Sequence, residues 1–153
     1  MPVVQNSFRM FTAGAGSAGW TEVAGDRGPA VRLRAADLQR AKRESARLRT
    51  DPQASGASVI LDIQVLIADD IRAARRASSG AEIAGDCVQY VGTLAGLVGL
   101  VRDVWAAGVA DGVTLVPAAP DQDVRVLGAR VTDAITSSGS RPPGRASAPA
   151  GSG

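Results

Sequence analysis

A chain of 153 residues in which only 3% are aromatic must build its core mainly from Ala, Val and Leu, and its length favours a single domain. Its 17 basic and 15 acidic residues are interspersed, so the net charge of +2 gives no reason to expect nucleic-acid binding. The longest apolar run is interrupted by Asp62 and Gln64 and is too short to span a bilayer, so we expect no membrane contact.

The residue inventory also excludes several kinds of chemistry. The chain has no histidine, which removes the usual general base, the usual metal ligand and every Ser-His or Cys-His nucleophile pair. We therefore expect no metal site, and catalytic residues stay unassigned. The single cysteine, Cys87, rules out an internal disulfide, and together with the lack of an evident signal peptide it favours a cytoplasmic location. Any chemistry would come from a cofactor or from another chain.

The first third of the chain predicts two short strands and one helix. The strands are "PVVQ" at Pro2 to Gln5 and "AVRL" at Ala30 to Leu33, and between them "FTAGAGSAGW" is a small-residue loop that leads into a helix start. A helix is predicted over residues 35–49 and ends before Asp51-Pro52. Its apolar face consists of Leu38, Ala41, Ser45 and Leu48.

The middle of the chain contains the clearest strand, "SVILDIQVLIA" at residues 58–68. Its nearly continuous apolar character indicates burial on both faces, as in parallel sheets. A short helix is predicted over residues 69–77, with an acidic first turn and arginines in the later turns. Residues 78–86 are interpreted as a linker, and Cys87 as an ordinary semi-buried thiol.

The last third predicts a helix, a strand and a second helix. Thr93 is the expected N-cap of the first helix, Gly108 its C′ residue, and Asp111-Gly112 a turn into a strand at residues 113–117. Asp121 is predicted to start the final helix. The apolar stripes are Leu94, Leu97, Val98, Val101, Val104 and Trp105 on the first helix and Val124, Leu127, Val131 and Ile135 on the second.

Strands that alternate with helices predict an α/β fold with a mostly parallel sheet. We expect it to occupy residues 1–136, because residues 137–153 contain only Ser, Gly, Arg, Pro and Ala and predict a disordered, dispensable tail. Four predicted strands are fewer than the eight of a (β/α)8 barrel and fewer than the usual doubly wound sheet contains. We therefore expect the chain to form part of a larger architecture.

The segment "YVGTLAGLVGLVRDVWAAGVADGVTLVP" resembles the C-terminal end of luciferase-like, flavin-dependent monooxygenases, in which a "[YF]VG[TS]" turn precedes a helix and "AG…DG" leads into the last barrel strand. "AGAGSAGWTEVA" at residues 13–24 is similar to the family's Gly/Ser loop, and the resemblance covers residues 2–136. It implies a partial (β/α)8 barrel of about four strands. Two departures are a shorter linker at residues 78–86 and Trp20 in place of a commonly charged residue.

The resemblance also implies a cofactor, either FMN or a deazaflavin. The residues that would hold its phosphate are Ala15, Gly16, Ser17 and Ala18. Backbone N–H groups at a helix start, together with the Ser17 hydroxyl, are suited to an anion, although a plain N-cap loop explains the same residues. We interpret Gly92 and Thr93 as a structural cap and Trp105 as core. Asp62 lies in a strand that appears buried, with no partner identified from the sequence.

Two functions follow from this reading. The chain is either the C-terminal portion of a flavin-dependent monooxygenase or oxidoreductase that is inactive alone, or a non-catalytic remnant or subunit that acts only through a partner chain. A half-barrel would leave open edges beside the strands at residues 58–68 and 113–117, with unpaired backbone and exposed apolar side chains. We therefore expect a homo-oligomer or a complex with a partner chain.

Overall fold

The computed structural model describes residues 8–14, 19–24, 28–54, 56–78 and 85–139. The strands are β1 (Arg9–Thr12), β2 (Thr21–Ala24), β3 (Ala30–Leu33), β4 (Ser58–Ile67), β5 (Val88–Gly92) and β6 (Gly112–Pro117). The helices are α1 (Leu38–Thr50), α2 (Ile71–Ser78), α3 (Leu94–Ala106) and α4 (Val124–Gly139), with a short 3-10 turn at Pro52–Ala54.

The sheet is organised around β4. Its order is β2-β1-β6-β4-β3, and β5 pairs with β4 as well. β3 pairs with residues 58–61 of β4 and β5 with residues 63–67, whereas β6 pairs with residues 60–65. Because β6 overlaps both of the other partners, β3 and β5 must share one edge of β4 and β6 must occupy the opposite edge. All pairings are parallel except that of β1 with β2, which confirms the predicted α/β fold with a mostly parallel sheet.

The strand order differs from that of a barrel. A (β/α)8 barrel places each strand beside the next one along the chain. The pairs β3–β4 and β4–β5 follow this rule, but β6 pairs with β4 and β1 and not with β5. The structure therefore confirms the α/β class and the mostly parallel sheet of the expected architecture.

Three strands were not predicted from the sequence. β1 overlaps the predicted loop at residues 11–20, and β5 overlaps the turn that the resemblance implies at residues 90–93. β2 occupies the place of the expected helix start after residue 20. Each is four or five residues long, so its stability depends on pairing with distant segments. The predicted strand at Pro2 to Gln5 lies outside the described residues.

The expectation of open edges beside the strands at residues 58–68 and 113–117 is wrong. β4 and β6 are both paired along their two edges, and their apolar side chains are buried. The edges of the sheet over the described residues are instead β2, β3 and β5.

The helices confirm most of the sequence-based boundaries. The Thr93 hydroxyl accepts a hydrogen bond from the Gly96 N–H, and Gly108 has φ +72°, as a C′ residue requires. α4 begins at Val124 and not at Asp121, because Asp123 supplies the capping carboxylate to the Val126 N–H. It continues to Gly139, three residues past the expected boundary at 136, and residues 140–153 lie outside the described part.

The main core lies between one face of the sheet and helices α1, α3 and α4. It consists of alternate residues of the central strands and the predicted apolar faces of these helices. Fully buried members are Met10, Ala41, Leu61, Ile63, Val65, Leu97, Val101, Val113, Leu115 and Val131. Trp105, which was expected in the core, is half-buried and packs edge-on against Phe8, with ring centroids 5.6 Å apart.

The junction between β1 and β6 depends on Gly112. Its neighbour Asp111 accepts hydrogen bonds from the Val59 and Arg9 N–H groups and so joins β4 to β1 at the amino end of the sheet. A Cβ at Gly112 would overlap the backbone carbonyl of Arg9, which cannot move without breaking this pairing.

We expect Gly112→Ala to destabilise the fold by about 1–3 kcal/mol, since the added methyl group forces backbone apart in a packed region. Gly99→Ala is the matched control, because a Cβ at this helical position meets nothing within 4 Å, and it should stabilise α3 by roughly 0.5–1 kcal/mol. Urea unfolding of both variants measures the difference. Equal stability of the two would contradict the close approach of β1 and β6.

Candidate functional site

The face of the sheet opposite helices α1, α3 and α4 has an unusual polar character. The neighbouring residues Asp62 on β4 and Thr114 on β6 point to it, and both have no solvent exposure. Arg9 on β1 and Arg32 on β3 lie in the next row across the sheet. We call this surface the polar face. α2 covers only its carboxyl end, where Leu66 packs against Ala74.

Asp62 holds the centre of the polar face. Its Oδ1 accepts a hydrogen bond from Arg32 Nε at 2.8 Å, and its Oδ2 accepts one from Arg34 Nη1 at 3.1 Å. An ionised carboxylate that is removed from water needs such partners, because the desolvation cost is several kcal/mol. The sequence did not identify the partners of Asp62. They are Arg32 on β3 and Arg34, the residue that follows β3.

Arg34 also reaches outward. Its Nη2 lies 3.1 Å from Asp86 Oδ1, and the Asp86 side chain is 75% exposed whereas that of Asp62 is fully buried. This hydrogen bond lowers the pKa of the Asp86 carboxyl and raises the pKa of Arg34. The Arg34 guanidinium thus joins one carboxylate inside the protein to another in solvent.

Trp20 covers the middle of the polar face. Its indole N–H donates to the Thr114 hydroxyl at 2.8 Å, and its ring stacks on Phe11 with centroids 4.4 Å apart and an interplanar angle of 15°. The Arg32 guanidinium lies 5.5 Å from the Trp20 ring centroid, within cation–π range. Trp20 therefore links β1, β3 and β6, a role for which a charged side chain would be unsuited.

A second buried ion pair closes the other end of the face. Arg9, 2% exposed, donates from Nε and Nη2 to the two carboxylate oxygens of Glu22 on β2, both at 2.8 Å. The same guanidinium donates to the backbone oxygens of Gly28 and Pro29. This fork geometry fixes the β1–β2 pair beside the start of β3.

Cys87 lies where β4 changes partner from β3 to β5. Its thiol contacts the backbone oxygen of Asp62, with Sγ 3.6 Å from that oxygen, and the residue is 2% exposed. The expected semi-buried thiol is therefore fully buried, and burial raises its pKa. This environment is typical of a structural cysteine and unsuited to a nucleophile.

The predicted phosphate loop, Ala15, Gly16, Ser17 and Ala18, lies outside the described residues. The flanking residues show where it is attached: β1 ends at Thr12, and the chain returns at Gly19 with φ +69°. The expected helix after the loop is β2 instead, so a helix dipole no longer contributes to anion binding there. Backbone N–H groups and the Ser17 hydroxyl are the donors that this loop can still offer.

Gly92 and Thr93 serve structural purposes, as the sequence predicted. A Cβ at Gly92 would run into the ring of Tyr90, whose hydroxyl donates to the Thr93 backbone oxygen at 3.0 Å. Thr93 caps α3.

A shallow depression of about 500 Å³ lies between the start of α1, β5 and α3. Its lining includes Asp37, Leu38, Gln89, Tyr90 and Leu100. The Asp37 carboxylate already caps α1 by accepting from the Arg40 N–H at 2.8 Å, and the Tyr90 hydroxyl is used as described above. We assign no ligand to this depression.

Within the described ranges, no group of three or more His, Cys, Asp or Glu side chains is arranged to hold a metal ion. Among the same residues, no helix combines the length and the apolar character needed to cross a bilayer.

A comparison with protein-family models finds no match for this chain, and a comparison with curated proteins finds none either. Any functional statement therefore depends on the chain's own residues and on the resemblance described above.

The sequence contained a signal for Arg32 and Arg34 that periodicity alone did not reveal. In "AVRLR" the two arginines alternate with Leu33, so a strand places both on the face opposite the apolar core. A buried Asp in the adjacent strand requires positive partners. These two facts identify Arg32 and Arg34 as the partners of Asp62 only if β3 is already known to lie beside β4.

We expect the burial of Cys87 to make the protein less stable at alkaline pH. The folded state raises the thiol's pKa, so above about pH 9, its ordinary pKa, the unfolded chain ionises first. The stabilisation is complete below that pH and is lost as the pH rises through the folded pKa. Unfolding free energies measured from pH 7 to pH 10 should fall more steeply in the wild type than in Cys87→Ala. Parallel curves would contradict a buried neutral thiol.

Proposed function

We propose that this chain is the C-terminal, phosphate-binding portion of a luciferase-like, flavin-dependent oxidoreductase, that its cofactor is FMN or a deazaflavin, and that it has no turnover alone. The observation that carries the proposal is the position of β1, which comes shortly before Ala15 to Ala18 in the sequence. β1 is an internal strand of the sheet and is parallel to β6. In α/β sheets, ligands bind outside the carboxyl ends of the parallel strands.

The same edge offers further support. The chain leaves β6 through Pro117 and Ala118, and the Gln122 side chain then hydrogen-bonds both the N–H and the backbone oxygen of Ile67, at 2.6 and 3.2 Å. The carboxyl ends of β4 and β6 are thereby held together. β1 pairs with β6, so the described edge at which β1 ends is held in place, as an anion site that follows β1 in the sequence would require.

One observation favours the alternative of a non-catalytic remnant or subunit. In a barrel, the polar face would be the inner surface beneath the mouth at which ligands bind. In this chain its polar groups largely satisfy one another: Asp62 binds two arginines, Arg9 binds Glu22, and Trp20 covers Thr114. A partner chain that supplies further strands would have to accommodate this closed surface.

Replacing Ser17 by Asp places a carboxylate where the phosphate would bind. Like charges about 4 Å apart near a protein surface repel by about 4 kcal/mol, so FMN binding should fall by about a thousandfold, which is beyond detection for a moderate ligand. Gln39→Asp, an exposed site on α1, is the charge-matched control. Flavin fluorescence titration measures the affinity. An unchanged affinity in Ser17→Asp, or no binding by the wild type, would reject the loop as a flavin site.

The isolated chain should show no substrate-dependent oxidation of reduced FMN above the rate of free flavin. Active sites of barrel enzymes are built from loops that follow several strands around one mouth, and the described strands form an open sheet. Sedimentation velocity on the same sample tests the expected self-association. A monomer with substrate-dependent turnover would overturn the proposal that the chain is inactive alone.

A further inference from the structure

The ion pairs that Arg34 makes with Asp62 and with Asp86 differ in how readily they can be exchanged. The contact with Asp62 is buried on the carboxylate side, so breaking it would leave an uncompensated charge inside the protein. The contact with Asp86 joins the Arg34 side chain, which is 33% exposed, to the Asp86 side chain, which is 75% exposed. Exposed pairs of this kind contribute little to stability, because water competes for both partners. One contact of Arg34 is therefore fixed and the other is replaceable.

The fixed contact prepares Arg34 for a ligand. Asp62 holds Nη1, and Nη2 donates to the exposed carboxylate of Asp86. A guanidinium that is already held in one orientation loses little further conformational entropy when it binds an oxyanion. Arg32 is held beside it by the other oxygen of Asp62 and by the Trp20 ring.

We propose that Arg34 is the anchor of an anion-binding site at the edge of the polar face, and that Asp86 occupies the place of the ligand's anionic group when the site is empty. The ligand class is a small molecule that carries a carboxylate or a phosphate group. Its oxygen replaces Asp86 Oδ1 on Arg34 Nη2, while the Asp62 contact stays in place. The site uses Asp62 of β4, Arg34 just after β3 and Asp86 just before β5, and it does not rest on the proposed flavin function.

The test compares the binding of inorganic phosphate and of acetate to four chains at constant ionic strength. These are the wild type, Asp86→Asn, Arg34→Gln and Asp103→Asn. Asp103 lies exposed on α3, so its replacement changes the net charge equally without touching the site. Fluorescence of Trp20 reports binding, with Trp105→Phe introduced throughout so that Trp20 is the only tryptophan.

We expect Asp86→Asn to bind the anion about two- to fivefold more tightly than Asp103→Asn, which is the range that removal of a competing exposed ion pair allows. Arg34→Gln should abolish binding. Tighter binding of phosphate than of acetate would assign the site to phosphate groups, and the reverse order to carboxylates. Equal affinities of Asp86→Asn and Asp103→Asn would overturn the proposal, as would undiminished binding by a folded Arg34→Gln chain.

Two further comparisons keep the result interpretable. If Arg34→Gln does not fold, the difference in anion affinity between Asp86→Asn and Asp103→Asn is sufficient to test the proposal. Repeating that comparison in a Ser17→Asp background separates this site from the proposed phosphate loop. A difference that survives there supports the Arg34 site whether or not the loop binds flavin, and one that disappears overturns it.

Discussion

The buried carboxylate of Asp62 is the constraint on which the polar side of the sheet depends. It lies in the middle of β4, which is paired along both edges, so water cannot reach it. Its two arginine partners alternate with Leu33 along the neighbouring chain. A shift of β3 by one residue would turn Leu33 toward the carboxylate and both arginines toward the apolar core. The ion pairs therefore help to specify the register between β3 and β4, and with it the position of α1.

The remaining contacts of the polar face surround Asp62. Trp20 stacks on Phe11, and Arg32, which is held by Asp62, lies within cation–π range of the same ring. Arg9 and Glu22 repeat the same solution at the edge of the sheet, with a guanidinium fork on a carboxylate. A surface that satisfies its own charges needs no ligand to be stable. This explains why the arrangement is compatible both with a subunit of a larger enzyme and with a chain that has lost catalysis.

The division of one edge of β4 between β3 and β5 explains the departure from barrel order. β6 occupies the opposite edge and continues to β1, so β5 has room only beyond the end of β3. At that junction the Cys87 thiol contacts the Asp62 backbone oxygen. This is the point at which the partner of β4 along this edge changes from β3 to β5. The buried thiol fills the space at this junction.

The sequence by itself determined the elements whose signals are local. The apolar stripes of α1, α3 and α4, the Thr93 cap, the Gly108 terminus and the long apolar β4 were all predicted, because helix periodicity and capping act within a few residues. Only the tertiary structure decided that residues 9–12, 21–24 and 88–92 are strands, that β6 lies between β1 and β4, and that Asp62 meets Arg32 and Arg34. The sequences of these three short strands show little local preference for extended structure. Their hydrogen bonds and ion pairs join segments that are distant in the chain, so their free energy exists only once the sheet has formed.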